Sequence, residues 1–577
     1  MTNTQENFIP SEYQRLIFDC IEHGTENIVV NAVAGSGKTT TISKALELIP
    51  SEKNVLFIAF NKDIVETLKK KVGHLPNVKI MTYHALGYSI VCENLKKKPE
   101  LNDYKYNTYI RSNISRFLQD ATCVSKKSDI RLYTRNINKL IDYARFNLAQ
   151  SENEVKQVAE KYKVPILCNE CAVTVEVLQW GSHNTDTIDY TDMVWLPYEL
   201  QWTSKVHKYD WVFVDEAQDS SLVQQELFKK CRKRGSRFCA VGDSDQCINA
   251  WAGADINAFN KFKKNRNTKE FDLPISYRCP QSIVDYAQKY SPRIKAKDGA
   301  EQGIIYQVVS PYTPVSGDMV LCRNTYPLVK LFADYLRVNK KAFIRGRDLG
   351  TDLINTIEHF SSGNNNLGKD LLSEGLFRNL YRHLITIAKA VSESSGCSLD
   401  EAYESEPVMM FFETIESINI LSENVRTIEE LINKVKAIFT DDADDEYICL
   451  STIHKAKGLE ANNVFLLAPS LIPSIYAKED WELKQENNLM YVAITRAKKT
   501  LSFIDESKFD VIKSSIYYNS LKKKFKDIAA LLEITTETSE RNFDNNKITI
   551  EKKIETIKTQ KTQRIGAKKF DKFIRKN

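Results

Sequence analysis

The segment Ala32-Val-Ala-Gly-Ser-Gly-Lys-Thr39 matches a phosphate-binding loop pattern, except that Ala32 stands where the pattern has its first glycine. A β-branched run, Asn27 to Val33, precedes the loop, and a helical pattern, Thr39 to Leu48, follows it. A loop between a strand and a helix presents backbone N–H groups to phosphates, its lysine reaches the β and γ phosphates, and its threonine holds Mg²⁺. The residues predicted to bind a nucleotide are Ala34, Gly35, Ser36, Gly37, Lys38, Thr39 and Thr40, and Thr39 is also a predicted Mg²⁺ ligand.

More strands follow the loop. Two apolar runs, Val55 to Phe60 and Val78 to Thr82, lie on either side of an amphipathic helical pattern from Ile64 to Val72. Strands that alternate with helices are typical of an α/β fold with a parallel sheet. Further apolar runs are found at 211–214 and 237–241, and a second set is found at 303–309, 319–322, 448–450, 463–467 and 501–504.

These runs fall into two sets that are each interrupted by a charged, mainly helical stretch. We therefore predict an α/β fold of two lobes with parallel sheets, each carrying a mainly helical insertion. The predicted first lobe is 1–88 and 188–272 with an insertion at 89–187. The predicted second lobe is 273–350 and 442–535 with an insertion at 351–441. Residues 536–577 are rich in lysine and polar residues, which favours a flexible basic tail.

Two adjacent carboxylates, Asp215 and Glu216, end the apolar run that begins at Trp211. A hard cation needs oxygen ligands, and an attacking water needs a base. We predict that Asp215 binds Mg²⁺ and that Glu216 polarises the water, a role that is typical of NTP hydrolases. Arg278 and Arg496, both in the predicted second lobe, are candidates to neutralise the charge that builds up on the γ-phosphate when the lobes close.

Length and composition indicate a multidomain globular protein but do not show what it binds. The chain has 577 residues, more than one hydrophobic core usually supports, and 81 basic against 75 acidic residues give a net charge of +6. This mild excess permits nucleic-acid binding but does not require it. We see no secretory leader and no apolar run long enough to span a bilayer, so we expect a soluble intracellular protein, in the cytoplasm or the nucleus, that does not bind a membrane.

The twelve cysteines are scattered, and a reducing compartment makes disulfides unexpected. Cys168 and Cys171 form one CxxC pair. Structural zinc sites need four ligands, and the sequence has no second pair at the usual spacing. We therefore interpret the pair as two thiols in a loop or turn, with zinc as the alternative.

Taken together, these motifs resemble the UvrD/Rep/PcrA-like branch of superfamily 1 helicases, over nearly all of residues 8–505. Phe8 to Gln14 resembles the Q motif, 242–246 resembles motif III, 276–278 resembles motif IV, and 451–460 resembles motif V. The resemblance implies two RecA-like P-loop NTPase lobes with ATP between them. It also implies nucleotide roles for five residues: an adenine contact for Gln14, a γ-phosphate sensor at Gln246, adenine stacking by Tyr277, and nucleotide contacts by Gly458 and Glu460.

The same resemblance implies a DNA track, because single-stranded tracks combine aromatic platforms with polar groups that hold the backbone. The residues that match the family's DNA contacts are Phe60, Asn61, Thr82, His84, Trp251, Thr452 and His454. The implied partners are single-stranded DNA and tailed or forked duplexes, together with replication or repair proteins, and a monomer is favoured. The forms of motifs III and IV are nearer the branch that moves 3′ to 5′.

The chain departs from the family beside motif III. Asn249 stands where the family usually has tyrosine, and Ala252 stands where it usually has arginine. Asn487 and Asn488 replace arginines commonly found ahead of the final motif. The leading hypothesis is an ATP-dependent DNA helicase in replication, recombination or repair. The alternatives are a translocase that strips proteins from DNA with little unwinding, and a DNA-binding scaffold that responds to ATP.

Overall fold

The structure is a computed structural model that describes residues 8–119, 127–202, 206–306, 313–361, 375–441 and 446–504, together with Lys523. The predicted tail, 536–577, lies outside the described residues. The strands are β1 Asn27–Ala32, β2 Val55–Ala59, β3 Val78–Thr82, β4 Glu100–Leu101, β5 Thr187–Ile188, β6 Tyr209–Val214, β7 Arg232–Gly242, β8 Thr268–Leu273, β9 Ile275–Ser276, β10 Lys295–Ala296, β11 Ile304–Tyr306, β12 Met319–Cys322, β13 Ala342–Arg345, β14 Phe439–Thr440, β15 Ile448–Thr452, β16 Ala461–Leu466 and β17 Ala497–Phe503.

Helices connect these strands and form both insertions. They are α1 Glu12–His23, α2 Lys38–Glu47, α3 Lys62–Val72, α4 Tyr83–Leu95, α5 Lys105–Ser112, α6 Ile114–Phe117, α7 Lys127–Asn147, α8 Glu152–Lys161, α9 Glu170–His183, α10 Tyr190–Glu199, α11 Leu222–Lys230, α12 Ala258–Lys263, α13 Gln281–Ala287, α14 Thr325–Arg337, α15 Arg347–Ser361, α16 Leu376–Ser395, α17 Leu399–Ala402, α18 Glu406–Leu421, α19 Ile428–Ile438 and α20 Asp480–Ile494.

The first sheet has six parallel strands in the order β3-β2-β6-β7-β1-β8. Every residue of β1 and β2 is buried, as expected for apolar strands that are covered on both faces. Because the strands are parallel, all their carboxyl ends meet at one edge. Strands β6, β7 and β1 are neighbours in the sheet, so the loops that follow them lie side by side at this edge. Ligands of α/β sheets bind at such an edge.

The first insertion shares a core with this sheet. Ile58 of β2 and Val214 of β6 belong to the same buried cluster as Ile137 of α7 and Val158 of α8. The short strand β4 of the insertion pairs in parallel with β5, which lies at the insertion's predicted carboxyl-terminal limit. The insertion is therefore packed onto one face of the first sheet, although its limits in the sequence stay a prediction.

A buried ion cluster joins the first insertion to α10 of the first lobe. Arg145 is almost fully buried, and its guanidinium lies 2.8 Å from carboxylate oxygens of both Asp189 and Asp192. Lys105 Nζ also lies 2.8 Å from Asp192. Because buried charges must be paired to offset their desolvation, this cluster fixes α5, α7 and α10 relative to one another.

The second sheet has seven parallel strands in the order β11-β17-β16-β12-β15-β13-β14. Residues 453–460 leave the carboxyl end of β15 and enter β16 at its amino end. Strands β15 and β16 both run parallel to β12, which lies between them. This short connection must therefore run from the side of the sheet where the strands end to the side where they begin. It is the segment that resembles motif V.

The second insertion is helical and contacts the first. Helix α16 packs against α7 of the first insertion, and the Arg135 guanidinium lies 5.7 Å from the centre of the Phe411 ring. At the second lobe, Lys163 of the first insertion lies 2.6 Å from Glu482 of α20. The two insertions are thus joined to each other and to the second lobe.

Cys168 corrects one expectation. It is disulfide-bonded, whereas Cys171 is a free, buried thiol. The expectation that the chain forms no disulfide is therefore wrong. It rested on compartment alone, but a disulfide requires two sulfur atoms that the fold brings together, which cysteine spacing does not reveal. Across the described residues, no group of three or more His, Cys, Asp or Glu is placed to hold a metal, and no helix is long and apolar enough to cross a membrane.

Candidate nucleotide and DNA site

The phosphate-binding loop joins β1 to α2 at the carboxyl edge of the first sheet. Gly35 and Gly37 have φ values of 71° and 76°, a left-handed conformation that only glycine adopts easily, and Gly37 is the N-cap of α2. Lys38 is the first residue of the helix, followed by Thr39 and Thr40. The Ser36 hydroxyl is buried with no hydrogen-bond partner among the described residues. The loop therefore has the shape and the free polar group expected of an anion cradle.

Gln14 lies beside this loop, near the start of α1. Its Nε2 donates to Thr41 Oγ1 at 2.8 Å, and its Oε1 accepts from Ser11 N at 3.0 Å. The side chain is buried and holds α1 against α2. One amide hydrogen and one lone pair remain for a further partner.

Glu216 follows β6 in a left-handed conformation, with a φ of 47°. Its Oε1 lies 3.3 Å from Lys38 Nζ, and its Oε2 accepts a hydrogen bond from Gln218 at 2.5 Å. Burial raises the pKa of Glu216, but Lys38 and Lys457 outweigh it and lower the pKa below its usual range. Burial and the neighbouring Glu216 charge raise the pKa of Asp215. The two adjacent carboxyls are thus pushed in opposite directions, as at sites that assign different roles to two acids.

Lys457 is a site residue that was not predicted from the sequence. It lies in the connection across the second sheet, yet its Nζ forms an ion pair with Asp219, lies 3.9 Å from Glu216 Oε2 and donates to the Gln246 carbonyl at 2.8 Å. The Asp219 carboxylate is fully buried. A second-lobe cation is therefore inserted among the first-lobe acids. Its only sequence signal is a lysine within the motif V segment.

The two predicted arginines differ in their surroundings. Arg278 Nε donates to Glu460 Oε2 at 2.6 Å, and its Cβ lies within 2.6 Å of the position that a Cβ on Gly35 would take. Arg496 is buried and donates to the Val492 and Leu459 carbonyls at 2.9 and 3.1 Å. Among the described residues it has no carboxylate partner within ion-pair distance, and burial, then Arg278, lowers its pKa to about 10.

Two further contacts join the lobes at the phosphate loop. Ala34 N donates to the Tyr491 hydroxyl at 3.1 Å, and Tyr277 N donates to the Gly35 carbonyl at 2.9 Å. Tyr491 is completely buried on α20, whereas the Tyr277 side chain is half-exposed. The second lobe therefore touches the loop through both motif IV and α20. The Tyr491 contact was not predicted from the sequence.

Comparison with known proteins places this site in a family. Residues 15–267 match the UvrD/REP helicase N-terminal domain, and residues 252–508 match the UvrD-like helicase C-terminal domain. The chain belongs to the UvrD/Rep helicase family. It is similar to the ATP-dependent DNA helicase PcrA of Staphylococcus epidermidis, at 23% identity over 82% of this chain and 80% of the relative. It is also similar to that of Staphylococcus aureus, at 24% identity with the same coverage.

Family membership confirms the predicted fold class and the class of enzyme. The protein is a superfamily 1 helicase with two RecA-like lobes that hydrolyses ATP and acts on DNA. The two parallel sheets of the structure correspond to these lobes. The roles of individual residues in the helicase stay predictions.

The DNA candidates of the first lobe follow β2 and β3 at the carboxyl edge. Phe60 is half-exposed there. Asn61 and Thr82 are helix N-caps, because the side-chain oxygen of each accepts a backbone N–H at the start of α3 and α4. His84 lies in the first turn of α4, where burial lowers its pKa. In the sheet order, these residues lie on the side of β6 away from the phosphate loop.

In the second lobe the DNA candidates lie at the carboxyl ends of the strands, and the nucleotide candidates Gly458 and Glu460 lie at the amino ends. Thr452 ends β15, and His454 follows it, with a pKa lowered to about 3 by burial and by the nearby cations. Gly458 and Glu460 instead precede β16. Gly458 has a φ of 90°, which favours glycine. The motif V connection of this helicase therefore joins one candidate site to the other.

The segment after motif III carries the departures from the family. Asn249 is the N-cap of a short 3₁₀ helix, Ala250–Ala252, and the Trp251 side chain lies outside what the structure describes. Asn488 is buried and donates to the carbonyls of Ser244 and Cys247 at 3.1 and 2.9 Å. Where relatives commonly have arginine, this helicase thus uses an amide to hold the motif III backbone.

Proposed function

We propose that this helicase moves 3′ to 5′ along single-stranded DNA and couples ATP hydrolysis to duplex unwinding in replication, recombination or repair. The observation that supports coupling is the course of residues 453–460, which begin at the DNA candidates and end at the nucleotide candidates. Midway along them, Lys457 reaches Asp219 of the first lobe. The forms of motifs III and IV support the direction of movement.

The phosphate loop is proposed to hold ATP. The buried, unpartnered Ser36 hydroxyl and the left-handed glycines fit a bound phosphate chain. Thr39 and Asp215 would hold Mg²⁺, which needs few protein ligands when phosphates supply the others. When bound, Mg²⁺ would neutralise charge on the phosphates. Gln14 and Tyr277 would contact the adenine.

Glu216 is proposed to orient the attacking water and accept its proton. Its low pKa keeps the carboxylate ionised at neutral pH, so it can act as an acceptor. Lys38, Arg278 and Arg496 would stabilise the charge that develops on the γ-phosphate, and Gln246 would sense that phosphate. Gly458 and Glu460 would contact the nucleotide from the second lobe.

The proposed DNA partner is single-stranded DNA, entered from a tailed or forked duplex. Phe60 and Trp251 would stack on bases, and each stacked base contributes about 1 to 3 kcal/mol. The residues proposed to contact the backbone are Asn61, Thr82, His84, Thr452 and His454. The basic residues from Lys547 to Lys576 are proposed to add contacts to phosphates.

A second candidate is a translocase that displaces proteins from DNA with little unwinding. Asn249 and Ala252 favour it, because they remove a stacking platform and a cation from the segment after motif III. The scaffold hypothesis does not stand, because the family is one of ATP-hydrolysing enzymes.

A strand-displacement assay with 3′-tailed, 5′-tailed and forked duplexes tests the proposal, with streptavidin-blocked strands in parallel. We expect ATP-dependent unwinding of the 3′-tailed and forked duplexes, lost in Lys38→Ala and Glu216→Gln. Unwinding of the 5′-tailed duplex alone would contradict the proposed direction. Removal of streptavidin without strand separation would select the translocase.

A further inference from the structure

Arg293, a second-lobe residue that has no assigned role, forms hydrogen bonds with motif III; these contacts are called the grip. Arg293 follows α13, and its Nη2 lies 3.2 Å from Asp243 Oδ1, 3.2 Å from Ser244 Oγ and 2.9 Å from Asp245 Oδ2. Ser291 Oγ donates to the same Asp245 oxygen at 2.7 Å. Three consecutive first-lobe residues are thus held by one short second-lobe segment.

Asp243 connects Arg293 to the residues of the nucleotide site. Its side chain is fully buried, and its second oxygen, Oδ2, accepts a hydrogen bond from Gln246 Nε2 at 2.8 Å. Its backbone N–H donates to Gln218 Oε1 at 3.0 Å, and Gln218 Nε2 donates to Glu216. One carboxylate therefore lies between the Arg293 guanidinium and the amide of the proposed γ-phosphate sensor.

The grip lies beside the point where the chain passes between the lobes. Lys295, two residues after Arg293, donates its backbone N–H to Pro274 O at 2.7 Å, and Pro274 directly follows β8 of the first sheet. When two bodies rotate about a connection, groups near the connection move least. The Arg293 contact can therefore persist while contacts farther from the connection break and reform.

We propose that Arg293 is a positioning residue that fixes motif III to the second lobe, so that the orientation of the Gln246 amide follows the position of that lobe. The inference rests on the proposed function, in which Gln246 senses the γ-phosphate. Without Arg293, the Asp243 carboxylate keeps hydrogen bonds from the Asp245 N–H at 3.2 Å and from Gln246 Nε2 at 2.8 Å but loses its ion pair, so it holds the Gln246 amide less firmly. Hydrolysis should then slow, whereas ATP affinity should change little because Arg293 does not contact the phosphate loop.

The test compares Arg293→Ala and Arg293→Lys in the full chain, with Arg337→Ala as the matched control. Arg337 forms exposed ion pairs on α14 of the same lobe. With saturating single-stranded DNA, we expect Arg293→Ala to lower the kcat for ATP at least tenfold with a KM within threefold of wild type. Base pairs unwound per ATP should also fall. Lysine should restore part of kcat, and Arg337→Ala should match wild type.

A double-mutant cycle with Asp245→Asn separates positioning from loss of folding. Because both single changes break one grip, we expect their effects on kcat to be non-additive. Additive effects of the two changes on kcat, or an unchanged kcat in Arg293→Ala, would overturn the inference. A fall in kcat that is accompanied by a lower melting temperature and is not rescued by lysine would also overturn it. If the wild-type protein shows no DNA-stimulated hydrolysis, the proposed function fails and the inference fails with it. An active wild type with a normal Arg293→Ala variant overturns the inference alone.

Discussion

Replacement of Lys457 by methionine tests whether the second lobe supplies a cation to the first-lobe acids. Methionine keeps most of the side-chain length but removes the charge. The change leaves the buried Asp219 carboxylate without its ion pair and removes the cation 3.9 Å from Glu216. It also removes the donor to the Gln246 carbonyl.

The size of the effect follows from burial. The Lys457 side chain is 11% exposed and that of Asp219 is 0% exposed, so water screens the pair little. Breaking a buried ion pair by removing one partner costs about 3 to 5 kcal/mol. The partners lie on different lobes, and opening of the cleft can rehydrate Asp219, so we take the lower value. At 1.36 kcal/mol for each factor of ten, kcat/KM for ATP should fall about 10²-fold.

The assay is steady-state ATP hydrolysis with saturating single-stranded DNA. Lys455→Met is the control, because Lys455 is two residues earlier and forms a partly exposed pair with Asp348 in its own lobe, and such a pair contributes about 1 kcal/mol or less. The double variant Lys457→Met with Asp219→Asn should lose less activity than the sum of the single changes. A Lys457→Met enzyme within threefold of wild type would refute the reasoning.

Three further substitutions test the loop and its second-lobe contacts. Arg496→Lys should lower kcat about 10³-fold or more with little change in KM, because an ammonium cannot reproduce the guanidinium's fixed fork of donors; kinetics at saturating DNA would show it. Tyr491→Phe removes one acceptor from the loop, so the Kd of a fluorescent ATP analogue should rise about 3- to 10-fold, and an unchanged Kd would count against that contact. Gly35→Ala should abolish analogue binding, because a Cβ there would lie 2.6 Å from Arg278 Cβ. Gly235→Ala, at a similar φ of 75° with no atom within 4 Å, should bind normally.

Local sequence patterns predicted the first sheet's central strands. The runs containing Val55 and Trp211 are apolar and β-branched or aromatic, and both are central strands. Strand β8 was missed because half of the residues of Thr268–Leu273 are charged. It lies at the edge of the sheet, where only two of its six side chains are buried. The short strand β13 gave too little pattern to detect.

Contacts between the lobes could not be predicted in the same way. Lys457 and Asp219 are 238 residues apart in the sequence, and Ala34 and Tyr491 are 457 apart. Spacing and periodicity describe neighbours along one helix or strand, and they do not show which side chains of two separate lobes will meet. The family resemblance named the motifs on each lobe, but the ion pair and the hydrogen bonds between them emerge only from the fold.

Arg496 shows a consequence of being held before any substrate is bound. Three hydrogen bonds within its own lobe fix the guanidinium, one of them to the neighbouring Thr495 hydroxyl. Ordering an arginine side chain costs up to about 2 kcal/mol of conformational entropy. Here that loss occurs once, when the second lobe folds, and is not repeated in each catalytic cycle. In the proposed mechanism the guanidinium already has a fixed conformation, and movement of the whole second lobe brings it to the γ-phosphate.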